Sequence, residues 1–266
     1  MSKIISSLQN PWVKNLLLLQ EKPRARKEQN LIVIEGIREV TLARDSGFAF
    51  TLLFCCPDLL TPEELQKIDS LAIPEQIEVP LQVFDRMAYR KGSGGVIGLA
   101  RPKRILLDDL KISTNPLILV LETVEKPGNL GALLRTADAA NLDAVIVCDP
   151  QTDIYNPNSI RSSVGCLFTL PVVTTTTDET IGWLKKKKIR IFGTALTSSR
   201  FYHDSDYRQP SAIVMGTEAT GLSRTWLDQC DELIKIPMMG KVDSMNVSVS
   251  AAIVVFEAMR QRNFNR

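Results

Sequence analysis

Three short segments carry the residue types that could do chemistry. The first, EKPGNLGALLRTADA (Glu125 to Ala139), combines Gly128 and Gly131, which let backbone N–H groups approach a ligand, with Asn129, a residue suited to capping the following helix. Arg135, expected in that helix's first turns, offers a fixed fork of donors suited to phosphate. The second, MGTEATGLS (Met215 to Ser223), sets Glu218 between Gly216 and Gly221, in a turn tight enough for main chain to touch a planar ligand. The third, IPMMGKVDSMNVSVSAA (Ile236 to Ala252), passes through Pro237 and Gly240 into Ser244, Asn246 and Ser248, interleaved with Met245, Val247 and Val249. Capping a helix takes one such polar residue, so the others can line a pocket while the apolar set packs or meets an apolar part of a cofactor. Read singly, each has a plain structural explanation. Arg135 could be a salt-bridged surface residue, Glu218 a carboxylate favoured by a helix dipole, and the Ser and Asn residues caps. Metal chemistry is not expected: Cys55, Cys56, Cys148, Cys166 and Cys230 lack Cys-x-x-Cys spacing, and His203 is the only histidine. The thiols are expected free and buried in a reducing compartment.

The elements that must position these segments follow from hydrophobic patterning. LILVLE (Leu117 to Glu122) is a short apolar run of the buried-strand type, and Asn129 to Asn141 reads as a helix rich in Ala and Leu. The alternation recurs: DAVIVCD (Asp143 to Asp149), a helix to Gly165, FTLPVV (Phe168 to Val173), a helix over Asp178 to Lys187, and IRIFGTAL (Ile189 to Leu196). SAIVMGTE (Ser211 to Glu218), a short helix from Ser223, ELIKIPM (Glu232 to Met238) and a last helix from about Met245 complete it. Apolar strands between helices imply an α/β fold with a parallel sheet covered on both faces. The first part is less regular: Pro11 to Gln20 helical, LIVIEG a strand, Glu35 to Ala43 helical, TLLFCC a strand. Residues 1–104 are expected to form a smaller α/β domain, 105–115 a linker punctuated by Pro102 and Pro116, and 116–266 the second domain.

The 266 residues, 44% hydrophobic and 23% charged with 14 Gly and 14 Pro, describe a globular protein with a sizeable core. A net charge of +2 gives no whole-molecule drive toward nucleic acid or an anionic membrane. Basic residues nevertheless bunch in the first part, as Lys22, Arg24, Arg26 and Lys27 and as Arg86, Arg90, Lys91, Arg101, Lys103 and Arg104. Such bunches can neutralise phosphates, though mixed charge is also an ordinary solvated surface. Apolar runs such as Leu16 to Leu19 are far short of the roughly 20 residues that span a bilayer, so no membrane segment is expected. The opening MSKIISSLQNPWVK has no secretory pattern, and a cytoplasmic location is expected.

In this order, the three segments resemble the signature motifs of the SpoU/TrmH branch of the SPOUT RNA methyltransferases. More loosely, Leu8 to Val40 and GSGGVIGLARP (Gly92 to Pro102) are similar to that family's N-terminal substrate-binding domain, a ribosomal-protein-like α/β unit. The resemblance implies a trefoil-knotted sheet, S-adenosylmethionine as cofactor, and methylation of a ribose 2′-hydroxyl in ribosomal or transfer RNA. It places Arg135, Asn129, Glu218, Ser244 and Asn246 in the catalytic set. Cofactor contacts fall to Gly216, Gly221, Leu222, Ile236, Met238, Met245, Val247 and Ser248, and RNA contacts to Arg24, Arg26, Lys27, Arg90 and Lys91. Met245 stands where the family more often has Leu, a change of similar volume. The resemblance also implies a homodimer using the apolar helix Val247 to Met259. A guanidinium with pKa above about 12 is a reluctant base, so Arg135 is expected to orient phosphate and stabilise developing alkoxide charge.

The alternatives are a catalytically inactive RNA-binding protein on the same fold, and a nucleotide-dependent oxidoreductase. The latter needs a glycine fingerprint leading into a helix with an acidic residue about 20 positions on, which G-S-G-G-V-I-G does not supply. Phe201, Tyr202 and Tyr207 near His203 could stack on an unpaired base or anchor a loop, and Lys185 to Lys188 reads as a solvated helix end.

Overall fold

The structure, a computed structural model, describes residues 3–90, 92 and 94–265. Two compact units account for the chain: residues through Lys103 with Tyr155–Thr169, and Arg104–Ile154 with residues from Leu170 onward.

The first unit holds strands β1 (Lys3–Ile4), β2 (Ile32–Glu35), β3 (Phe50–Cys55), β4 (Gln76–Glu78) and β5 (Val96–Ala100) in the order β1-β4-β3-β5-β2. β4 pairs in parallel with β1 and β3, whereas β5 lies antiparallel between β3 and β2. Helix α1 (Pro11–Glu21) starts where Asn10 accepts from the Trp12 amide at 2.9 Å and Pro11 pre-sets the first turn, and it buries Val13, Leu16 and Leu19. α2 (Pro23–Gln29), α3 (Ile37–Asp45), α4 (Pro62–Ser70) and α5 (Leu81–Met87) complete the part before Lys103. The run G-S-G-G-V-I-G leads into β5, in which Gly98 is required because a Cβ would lie 2.5 Å from the Phe50 ring.

α7 (Pro157–Ser162) and α8 (Cys166–Thr169) also belong to this unit, a correction to the expectation that 116–266 forms one continuous body. The cause is packing: the Phe48 ring meets Tyr155 and Phe168 edge-on at 6.3 and 5.0 Å, and Gly165 lies so close to Leu42 that a Cβ would sit 2.6 Å away. Phe168 is accordingly helical rather than the start of a strand.

The second unit has six parallel strands: β6 (Leu117–Glu122), β7 (Ala144–Cys148), β8 (Val172–Thr175), β9 (Arg190–Thr194), β10 (Ser211–Met215) and β11 (Glu232–Ile234). Every residue of β6, β7 and β10 is buried, as expected for strands covered on both faces. The covering helices are α6 (Pro127–Ala139), α9 (Thr177–Lys186), α10 (Arg224–Gln229) and α11 (Val247–Gln261). α9 begins with a Thr176/Glu179 capping box and α11 with Asn246 accepting from the Ser248 amide. The strand order β11-β9-β10-β6-β7-β8 reverses between β6 and β10, which creates a crevice beyond their carboxyl ends. The expected linker residues 105–115 carry a 3-10 turn at Leu107–Asp109 and group with this unit.

Candidate active site

Parallel pairing places Met215 opposite Leu121, so the chain leaves β6 and β10 side by side at the crevice. The loop after β10 closes on itself: Thr217 and Gly221 exchange backbone hydrogen bonds of 3.0 and 3.1 Å. Two glycines make this closure possible for different reasons. A Cβ on Gly216 would lie 2.2 Å from the Gly221 carbonyl carbon, whereas Gly221 has free space but a φ of +69°. Glu122, 7% exposed at the end of β6, accepts from the Ser223 amide at 2.8 Å and ties this loop to the sheet. Sequence reading passed over Glu122; a carboxylate ending an otherwise apolar strand was the available signal.

The three expected segments meet through side chains. Glu218 Oε1 accepts from Asn129 Nδ2 at 2.7 Å and from Asn246 Nδ2 at 3.0 Å, and Asn246 Nδ2 also reaches Asn129 Oδ1 at 3.2 Å. Asn246 Oδ1 is occupied by the Ser248 amide and hydroxyl at 2.9 and 2.6 Å. The Lys126 ammonium donates to Glu218 Oε2. That hydrogen bond is the largest cause holding the Glu218 carboxyl below its usual pKa; Asn129, the Lys126 charge and the Val247 N–H add to it, while burial opposes. The same hydrogen bond raises the Lys126 pKa.

Asn129 does not cap α6, a correction to the sequence reading. The helix starts at Pro127, with Lys126 as its boundary residue, so Asn129 lies within the first turn and its side chain is released to Glu218. Arg135 is likewise not in the first turns. It lies further along α6 on the exposed face, does not line the crevice, and its guanidinium has no ion-pair partner among the described residues.

Beside this junction lies a cleft of about 530 Å³, lined by Gly216, Gly221, Leu222, Ile236, Met238, Met245 and Val247 of the expected cofactor set and by Ser244 of the expected catalytic set. Ser248 is not among its lining residues, because both its polar groups turn to Asn246. Ser244 Oγ lies 3.3 Å from Asp243 Oδ1 and does not join the Glu218 cluster. Thr194, Ala195, Leu196 and Thr197 add a further wall. The volume and the mixed apolar and polar lining suit a nucleoside-sized ligand.

The expected RNA contacts separate. Arg24, Lys27 and Arg90 are exposed, Arg24 pairing with Glu28 at 2.6 Å, and Lys91 lies outside the described residues. Arg26 is a correction. It is 3% exposed and donates to the Leu19 and Gln20 carbonyls at 2.6 and 3.2 Å, so it closes the end of α1 instead of facing a partner. Tyr207 is buried with its hydroxyl on the Tyr202 carbonyl at 2.7 Å, and so anchors its loop.

A parallel α/β sheet whose switch-point loops form a cleft beside a carboxylate–amide cluster defines a cofactor-binding α/β enzyme domain. The chain belongs to the SpoU rRNA methylase family: that family's model matches residues 116–256, and the model of the MRM3-like substrate binding domain matches residues 10–98. It is 31% identical over 258 residues to the 23S rRNA (guanosine(2553)-2′-O)-methyltransferase RlmP of Bacillus subtilis (strain 168), covering 96% of this chain and 98% of the relative. It is 38% identical over 195 residues to the 23S rRNA (guanosine-2′-O-)-methyltransferase RlmB of Vibrio cholerae, covering 71% and 79%. Among solved structures, an RNA 2′-O ribose methyltransferase superposes with a TM-score of 0.86 at 38% identity over 98% of this chain and 99% of that one. The SpoU methyltransferase AviRb from Streptomyces viridochromogenes, in complex with the cofactor AdoMet, does so with 0.89 at 26% identity over 97% and 100%.

Proposed function

We propose that the protein methylates a ribose 2′-hydroxyl of ribosomal RNA using S-adenosylmethionine bound in the cleft between the loops after β9, β10 and β11. The observation that carries this reading is the Asn129–Glu218–Asn246 junction, built from distant segments and set at the rim of a cleft lined by apolar and polar residues. The turn closes at Gly216 so tightly that a Cβ there would collide with Gly221, which keeps this loop compact beside the cleft. When bound, S-adenosylmethionine supplies an electrophilic methyl group on a sulfonium.

The residues of this chain then have to bind and orient the ribose and manage its proton. Glu218 is ionised, and each of its oxygens already accepts, so it organises the two asparagines rather than acting as the base. Asn129 Oδ1 retains acceptor capacity for the hydroxyl. Arg135, exposed on α6 and without an ion-pair partner among the described residues, engages a substrate phosphate and stabilises alkoxide charge, with the proton leaving to that phosphate or water.

The wider reading has further parts. The first unit presents RNA through Arg24, Lys27, Arg90 and Lys91, and the second carries the family's trefoil knot. Val249 and Phe256, 48% and 41% exposed one heptad apart on α11, form the seam of a homodimer. The location is cytoplasmic, where ribosomal RNA is assembled; no helix among the described residues is long and apolar enough to cross a membrane.

The inactive-binder alternative draws no support from relatives named as methyltransferases. The test is transfer of labelled methyl to ribosomal RNA from a strain lacking the gene, with mapping of the modified ribose. Label in a base, or no label together with no cofactor binding, refutes the reading.

A further inference from the structure

Lys126 was given no role by the motifs, yet it is the cation in direct contact with the cluster at the rim of the cleft. We propose that Lys126 is a positioning residue for methyl transfer: its ion pair with Glu218 fixes which way the Asn129 and Asn246 amides face, and so leaves the Asn129 carbonyl oxygen turned to the ribose hydroxyl. This rests on the function proposed above.

The argument begins with the amides. An asparagine side chain is nearly symmetric in shape, so only its partners decide whether oxygen or NH2 faces a given direction. Here both amide nitrogens point to one acceptor, Glu218 Oε1, at 2.7 and 3.0 Å. Asn246 cannot turn over without also losing the Ser248 amide and hydroxyl. Among the described residues Asn129 has no such second anchor, and its oxygen receives the 3.2 Å contact from Asn246. Its orientation therefore depends on Glu218 being an acceptor, that is, ionised.

Burial works against ionisation. Glu122 and Glu125 line the crevice with Glu218, and Asp243 lines the cleft, against Lys235 as a further cation there. Lys126 offsets this locally and provides the largest influence holding Glu218 charged, with the Val247 N–H as a lesser one. A protonated Glu218 would offer a donor where Asn129 now donates, and the amide would turn its NH2 toward substrate. A side chain 67% exposed can be changed without disturbing the core.

The test compares Lys126→Met and Lys126→Arg in the full-length protein. Carbon-detected titration of the Glu218 carboxyl in the free protein is expected to move to higher pH in Lys126→Met and to return in Lys126→Arg. With ribosomal RNA from a strain lacking the gene as probe, the acidic limb of the kcat–pH profile is expected to shift to higher pH in Lys126→Met, with kcat lowered most on that limb. S-adenosylmethionine affinity should stay within twofold, and Lys126→Arg should recover most of the rate. An unmoved Glu218 titration, an acidic limb of kcat that coincides with that of wild type, or an Arg variant no better than Met overturns the proposal. If wild type leaves the probe unlabelled, the function reading fails, while the titration still decides whether Lys126 controls Glu218.

Discussion

Replacing Gly216 with alanine tests the closed turn that borders the cofactor cleft. The added Cβ would lie 2.2 Å from the Gly221 carbonyl carbon and 2.4 Å from both the Gly221 oxygen and the Leu222 nitrogen, all main-chain atoms that no rotamer change can move. The turn must open by more than an ångström, and the paired Thr217 and Gly221 hydrogen bonds of 3.0 and 3.1 Å break or stretch. Two backbone hydrogen bonds contribute about 0.5–1.5 kcal/mol each, and overpacking strain adds about 1–3 kcal/mol. Because the loop can distort without unfolding the sheet, most of this cost should appear as lost cofactor affinity, about 10- to 100-fold at roughly 1.4 kcal/mol per decade. Calorimetric titration with S-adenosylmethionine measures it. Gly221→Ala, with free space but a φ of +69°, should cost only about 1–2 kcal/mol. Gly128→Ala, in the first turn of α6 with no atom within 4 Å of the new Cβ, should be neutral or slightly stabilising. A Gly216→Ala protein that binds the cofactor within twofold of wild type and melts at the same temperature would refute the reasoning.

Arg135→Ala should lower turnover by about 100-fold or more while leaving cofactor affinity within a few-fold, since its guanidinium lies outside the cleft; retained methylation in a single-turnover assay removes Arg135 from the mechanism. Arg26→Met should destabilise the protein by about 2–4 kcal/mol, seen as a lowered melting temperature, because the Leu19 and Gln20 carbonyls lose a charged donor. Cofactor affinity should not change, and an unaltered melting curve would contradict the buried role. Phe256→Glu should convert a dimer into a species of the 29.6 kDa chain mass in light scattering, whereas a wild-type protein already at that mass rules the seam out.

Much of the second unit was readable because full burial leaves few choices of residue. LILVLE, AVIVC and SAIVM are apolar but for the terminal Glu122 and Ser211, since both their faces are covered; the first two lie within a residue of their expected bounds, whereas the third ends at Met215, three residues short of the expected Glu218. The first unit was less readable. β5 passes through Gly98 and follows a glycine-rich run, so its composition resembles a loop, and α2 is a charged helix whose one buried guanidinium looks like surface charge. The placement of Tyr155–Thr169 with the first unit has no local signal, because the contacts of Phe48 and Leu42 that hold it lie more than a hundred residues earlier.

The residue types of the site were a local matter, set by turns that only glycine can make and by Asn246 beginning a helix, and adjacent positions in the chain suffice to state them. Which of those residues touch was not local. Asn129 and Glu218 are 89 positions apart and Asn129 and Asn246 are 117, and they meet because β6 pairs with β10 across the point where the strand order reverses. Hydrogen bonds act over about 3 Å, so membership in one cluster is decided by strand pairing and helix start, not by motif. That is why Glu122 and Lys126 enter the site although neither stood out in the chain, and why Arg26 left the surface on which its charge had placed it.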